Sequence, residues 1–132
     1  MIKVAPSILS ADFVNLERDI QHVTDAGADY IHVDVMDGLF VPNITIGIPV
    51  TDAIARIARR PLDVHLMIDR PIRYVDAFCK AGASVLTIHI EADTEQNNLA
   101  ALKKIRENGV RAAISIKPKT PVDQALKYLP YC

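Results

Sequence analysis

The sequence predicts an α/β protein built from βα units that follow one another five times. Two observations carry that expectation. Short runs of β-branched and apolar residues alternate with longer segments whose apolar residues recur at helical spacing. The chain also repeats itself: Asp25-Ala-Gly-Ala-Asp29 resembles Lys80-Ala-Gly-Ala-Ser84, 55 positions later, and Gly109 stands 27 positions beyond Gly82. Each unit therefore takes about 27 residues, and eight would fill roughly 216, the size of a closed (β/α)8 barrel. Five are present. An open five-stranded α/β sheet is the competing architecture and would be complete at this length. A dinucleotide-binding form of that sheet wants a Gly-rich turn after its first strand, and the chain has Pro6-Ser7-Ile8-Leu9-Ser10 there.

The elements follow in order. Ile2 to Ile8 is short and apolar and reads as the first strand. Leu16, Ile20 and Val23 predict a helix over 15–26, with Asp12 placed to cap its start and Ala26-Gly27-Ala28 to end it. Tyr30 to Met36 is the second strand, apolar enough on both faces to be a parallel strand covered on both sides. A loop runs from Asp37 to Asn43, and Pro49 opens a helix to Arg59. Leu62 to Ile68 is the third strand. Pro71 begins a helix with Ile72, Val75, Phe78 and Cys79 along one side, ended by Ala81-Gly82-Ala83. Ser84 to Ile90 is the fourth strand. A helix over 97–108 carries Leu99, Leu102 and Ile105 and stops at Gly109. Val110 to Ile116 is the fifth strand, and Pro121 opens a last helix to Leu129.

Composition excludes several function classes. A chain of 132 residues, half of them hydrophobic, fits one domain with an ample core. Lys plus Arg number 15 against 16 Asp plus Glu, so neither a basic nucleic-acid binder nor an acidic disordered segment is expected. Cys79 and Cys132 form no metal-spaced cluster and read as two unpaired thiols of a reducing cytosol. The N-terminus lacks the marks of a signal peptide, and no apolar run is long enough to span a membrane. The expectation is a soluble cytoplasmic protein.

The polar residues near the strand ends are the most informative part of the chain. Ser7 ends the first strand. His32, Asp34 and Met36 share one face of the second, and His65 and Met67 share one face of the third. Two imidazoles and a carboxylate from adjacent strands make three quarters of a four-coordinate site for a divalent metal. Such a metal would polarise a carbonyl and an adjacent hydroxyl, and the carboxylate would take a proton from the carbon between them. Bland readings stand beside this one. A histidine on a strand is most often a packing residue, a neutral histidine can satisfy Asp34 without metal, and methionines ordinarily fill cores. His22 falls on a helix and reads as solvent-facing. His89 reads either as support for the site or as a satisfied strand-end histidine.

Ordered motifs favour the chemical reading. Ala5-Pro-Ser-Ile-Leu-Ser-Ala-Asp12, His32-Val-Asp-Val-Met-Asp-Gly38, Phe40-Val-Pro-Asn43, Leu62-Asp-Val-His-Leu-Met67, Ala81-Gly-Ala83 and Ile88-His-Ile-Glu91 together resemble the ribulose-phosphate 3-epimerase family, from residue 4 to about residue 130. The resemblance implies a (β/α)8 TIM barrel of the ribulose-phosphate-binding type. It implies interconversion of D-ribulose 5-phosphate and D-xylulose 5-phosphate in the pentose phosphate pathway, with a phosphorylated ketopentose as substrate. It also implies one divalent metal per subunit: zinc, with iron, manganese or cobalt as substitutes. By resemblance His32, Asp34 and His65 are metal ligands, Asp34 is one of two catalytic acid/base carboxylates, and Ser7, His32, His65, Met36 and Met67 contact substrate. A homo-oligomer is the family's habit.

The departures are equally specific. The family's second acid/base aspartate and its phosphate-binding loops belong to strands six to eight, whereas five units are present here. Residues 1–132 are expected to be the N-terminal part of one barrel, inactive alone. Asp37 lies in a loop, Asp63 at the early end of its strand and Asp93 past the fourth strand, so none is expected to replace the missing carboxylate. Lys117 stands where the family commonly has Asn, and Ile48 where it often has a second proline. Related readings are a D-allulose-6-phosphate 3-epimerase and a non-catalytic half-barrel module completed by a partner chain.

Overall fold

The computed structural model describes residues 1–132. Four strands form one parallel sheet in sequence order: β1 (Ile31–Met36), β2 (Leu62–Met67), β3 (Ala83–His89) and β4 (Arg111–Ser115). Helices α1 (Leu16–Asp25), α2 (Ile48–Ile57), α3 (Val75–Lys80) and α4 (Glu95–Glu107) intervene, and a short α5 (Asp123–Leu126) follows β4. Parallel strands in sequence order with a helical crossover between each pair are the architecture of part of a (β/α)8 barrel.

Alternation along the strands sorts the two faces. Ile31, Val33, Val64, Leu66, Leu86 and Ile88 are wholly buried on the helix side of the sheet. There they share one core with Ile20, Ile54, Val75, Phe78, Leu102 and Ile105. His32, Asp34, Met36, Asp63, His65 and Met67 alternate with these residues and are only partly covered. Two ties cross this second face. Arg111, at the start of β4, donates from Nη2 to the Tyr30 hydroxyl at 3.0 Å, just ahead of β1. At the opposite end, Lys117 Nζ donates to the Phe40 carbonyl at 3.2 Å and lies 3.9 Å from the centre of its ring. The loop after β1 is thereby joined to the segment after β4.

Five expectations need correction. The predicted first strand over 2–8 is not a strand: Ser7 alone bridges to His32. The carbonyls of Val4 and Pro6 accept from Asp29, Tyr30 and His32, but Pro6 has no N–H to return and Val4's N–H goes to the Asp29 carboxylate. The helix expected from Pro71 divides into a 3-10 turn, Pro71–Arg73, and α3, after Arg70 takes a left-handed conformation at φ 47°. The last helix shortens to α5 and a 3-10 turn, Leu129–Tyr131, because Pro130 supplies no helical donor. Asp12 also caps differently from expectation. It accepts from Val14 N and holds the 3-10 turn Phe13–Asn15 that precedes α1. By contrast, α4 starts two residues earlier than its apolar spacing indicates, where Thr94 caps it through Asn97 N.

Candidate metal centre

In-register pairing of β1 with β2 sets His32 beside Asp63, Asp34 beside His65 and Met36 beside Met67. Period two puts all six on the face away from the helices, so three cross-strand pairs make one continuous patch.

Asp34 is its hub. Oδ1 lies 3.2 Å from both His32 Nε2 and His65 Nδ1. Oδ2 accepts the Ser7 hydroxyl at 2.5 Å. The Ser7 oxygen also accepts from Leu9 N at 3.2 Å, capping the 3-10 turn Ile8–Ser10, so its one proton is left for Asp34. Burial alone would push the Asp34 carboxyl up. The imidazoles of His32 and His65 and the Ser7 hydroxyl beside it outweigh that and hold it well below the usual carboxylate range.

His32 sits between two carboxylates, with Nδ1 2.8 Å from Asp63 Oδ2. Asp34 first and Asp63 second raise it to about 9. The place of Asp63 at the early end of its strand argues only against its replacing the missing carboxylate, not against its supporting His32. The same-face parity of Asp63 with His65 was the available signal, and the β1–β2 register turns that parity into contact with His32.

His65 reaches the other way. Its Nε2 lies 2.9 Å from His89 Nε2, and the two rings stack with centroids 4.9 Å apart. His89 Nδ1 is 3.3 Å from Glu91 Oε2. His89 therefore contacts the site rather than merely finishing β3. Burial, and then the charge of His65, hold it below 6.5. Glu91 was not singled out in the sequence as a site residue. Its Oε1 accepts Lys117 N at 2.6 Å and the Thr120 hydroxyl at 2.5 Å, so the loop after β4 fixes it.

One donor atom from each of His32, Asp34 and His65 falls within 4.8 Å of the others. Two imidazole nitrogens and a carboxylate oxygen suit zinc, iron, manganese or cobalt alike, and the donor set fits a divalent cation. Met36 and Met67 stand together beyond these three residues toward the C-terminal ends of the strands. Asp37 lies outside the cluster and stitches two loops. It accepts from Leu39 N and Phe40 N at 2.9 Å and from Asp69 N at 2.7 Å. His22 is exposed on α1, as its sequence position suggested.

Comparison with known proteins converges on one family. The profile of the Ribulose-phosphate 3 epimerase family matches residues 3–132. A ribulose-phosphate 3-epimerase of Synechocystis is 51% identical over 99% of this chain and 57% of its own length. One of Bacillus subtilis is 54% identical over 92% of the chain and 55% of its own length. The chain thus spans a little over half the length of these relatives. Among solved structures, Yersinia pestis DHPS with a pterine-sulfa conjugate superposes with a TM-score of 0.64 over 98% of this chain and 51% of its own, at 14% identity, a likeness of fold alone. With a family match along nearly its whole length and relatives at about half identity, the chain belongs to the ribulose-phosphate 3-epimerase family.

Proposed function

We propose that residues 1–132 supply the metal-binding and first proton-transfer part of a ribulose-phosphate 3-epimerase, interconverting D-ribulose 5-phosphate and D-xylulose 5-phosphate, as the N-terminal part of a single barrel. The observation that carries this reading is the His32–Asp34–His65 cluster on the face of β1 and β2 turned away from the helices. The two thiols, Cys79 and Cys132, are unpaired, which suits a cytoplasmic enzyme. The family resemblance supports a homo-oligomer.

Inverting C3 requires removing its proton on one face and returning one on the other. His32, Asp34 and His65 would hold the cation. When bound, it supplies positive charge that stabilises the cis-enediolate formed from the acidified C3 and the C2 ketone. Asp34 is the base on one face, held ionised by its donors and oriented by Ser7 through Oδ2. Met36 and Met67 would pack polarizable thioethers against the reacting carbons and exclude water. The proton on the opposite face needs a second carboxylate. Asp63 is engaged by His32, and Glu91 by His89, Lys117 and Thr120, so neither is free for it. The strand-seven aspartate implied by the family resemblance fills that role.

Zinc titration followed by calorimetry tests the reading. We expect one zinc per chain, and loss of that binding in Asp34→Asn. Epimerase turnover is expected only when the intact mass of the natural protein reaches that of its relatives, with D-ribulose 5-phosphate preferred over D-allulose 6-phosphate. A chain that binds no divalent metal, or an Asp34→Asn variant that binds it unchanged, sinks the proposal.

A further inference from the structure

The contacts beyond the ligands run in one line, from Asp34 through His65 and His89 to Glu91. Each ring of that line has one proton to place when neutral. Carboxylates stand at both ends, but a cation held between Asp34 Oδ1 and His65 Nδ1 would take the place of a proton there, so in the loaded site the far end decides. A carboxylate only accepts, so Glu91 Oε2 demands a proton on His89 Nδ1. His89 Nε2 is then an acceptor. It faces His65 Nε2 at 2.9 Å, so His65 must carry its proton on Nε2 and leave Nδ1 as a lone pair. That bare Nδ1 is the atom turned toward Asp34 Oδ1.

We propose that Glu91 and His89 are positioning residues that fix the tautomer of His65 and so present its Nδ1 to a divalent cation. The inference rests on the metal-centre reading given above. Glu91 is suited to the task because it cannot rotate away: Lys117 N and the Thr120 hydroxyl hold its Oε1. His89 is nearly enclosed, its ring stacked on His65 and packed against Phe40 at 5.0 Å between centroids. Lys117 Nζ also lies 3.9 Å from the centre of the Phe40 ring, and the backbone N–H of Lys117 holds Glu91, which ties the loop after β4 to both members of the relay. Asn98, buried on α4, holds the carbonyls of Ile90 and Asp93 and so anchors the loop on either side of Glu91. Acceptors that take the outer ring N–H of metal-binding histidines commonly set both ring orientation and basicity.

Glu91→Gln makes the proposal sharp. Its carbonyl would keep the bonds from Lys117 and Thr120, which leaves an NH2 donor facing His89 Nδ1. The proton order then reverses along the line, and His65 Nδ1 becomes protonated. In histidine-labelled, zinc-loaded wild type, 15N NMR should show His65 with zinc on Nδ1 and a proton on Nε2, and His89 with its proton on Nδ1. Glu91→Gln should weaken zinc binding about 10- to 100-fold. Glu91→Ala, which imposes no reversed order, should weaken it less than Gln does. The opposite tautomers in wild type overturn the relay, and that measurement needs no variant to fold. So does a Gln variant that folds and binds zinc as wild type does. Wild type that binds no zinc overturns the metal reading, and the relay with it.

Discussion

Asp34 accepts from a hydroxyl on one oxygen and meets two imidazoles on the other, so its carboxylate is committed before any cation arrives. His32 is held from behind in the same manner as His65, but directly, by Asp63 Oδ2 at 2.8 Å. With Nδ1–H kept by Asp63, Nε2 is the nitrogen left for metal. Asp63→Asn is therefore expected to lower zinc affinity about 10- to 100-fold while leaving the fold intact. Calorimetric titration checks the affinity and circular dichroism checks the fold; unchanged affinity would remove Asp63 from the site. Asp37 gives a separate, purely structural test. Burial pushes its carboxyl up, but the N–H groups of Asp69, Phe40 and Leu39 outweigh that and hold it below 3.8. A carboxyl depressed on folding adds stability above its unfolded value, and that share disappears as pH falls through the folded value. In Asp37→Asn an NH2 meets a backbone N–H, at a cost of about 1–3 kcal/mol. Urea midpoints should differ between wild type and variant at pH 7 and draw together at pH 3. An equal gap at both pH values would refute the assignment.

The sequence repeat has a physical identity at the scale of elements. Gly27 and Gly82 occupy matching places after α1 and α3, with φ of +101° and +100°, and each reverses the chain from helix into the next strand. They differ in surroundings. A Cβ on Gly27 would meet nothing, whereas one on Gly82 would lie 2.6 Å from Ala55 Cβ on α2. Gly27→Ala should cost about 1–2 kcal/mol, from left-handed strain alone. Gly82→Ala should cost about 2–4 kcal/mol, because α2 and α3 must also separate. Denaturant unfolding of the two variants measures the difference, and equal losses would mean that the α2–α3 approach is not tight. The same comparison shows what was readable in advance. The strands from Tyr30, Leu62, Ser84 and Val110 fall within a residue or two of their expected bounds, because alternation marks each one and a glycine turn precedes all but the strand at Leu62. Residues 2–8 carry the composition of a strand, but pairing depends on donors that Pro6 lacks and Val4 spends on Asp29. At the site, face parity exposed His32, Asp34, His65 and the two methionines. Asp63 and Glu91 escaped because their roles depend on register between strands and on a loop after β4, which spacing within one strand does not encode.

For the whole molecule, the sheet has one finished side and one unfinished side. Helices cover the apolar residues on one face, while the other carries the metal-site residues, with Arg111–Tyr30 and Lys117–Phe40 the ties that cross it. Its borders are open as well. β4 pairs with β3 alone, and β1, paired with β2 on one side, meets only the single bridge at Ser7 on the other. Around them Ile2, Val4, Val122, Leu126, Leu129 and Tyr131 are exposed. Unpaired strand backbone beside exposed apolar side chains is a template for another chain. In a closed barrel further strands would meet both borders. The 132-residue chain produced by itself is therefore expected to self-associate in the micromolar range, with sedimentation coefficients that rise with concentration. Zinc should not abolish this association, because the proposed ligands lie on β1 and β2 rather than at the outer edge of β4. Sedimentation velocity over a hundredfold range of concentration decides the matter. A single monomeric species throughout, unfolding cooperatively, would show that the four-stranded unit protects its own edges.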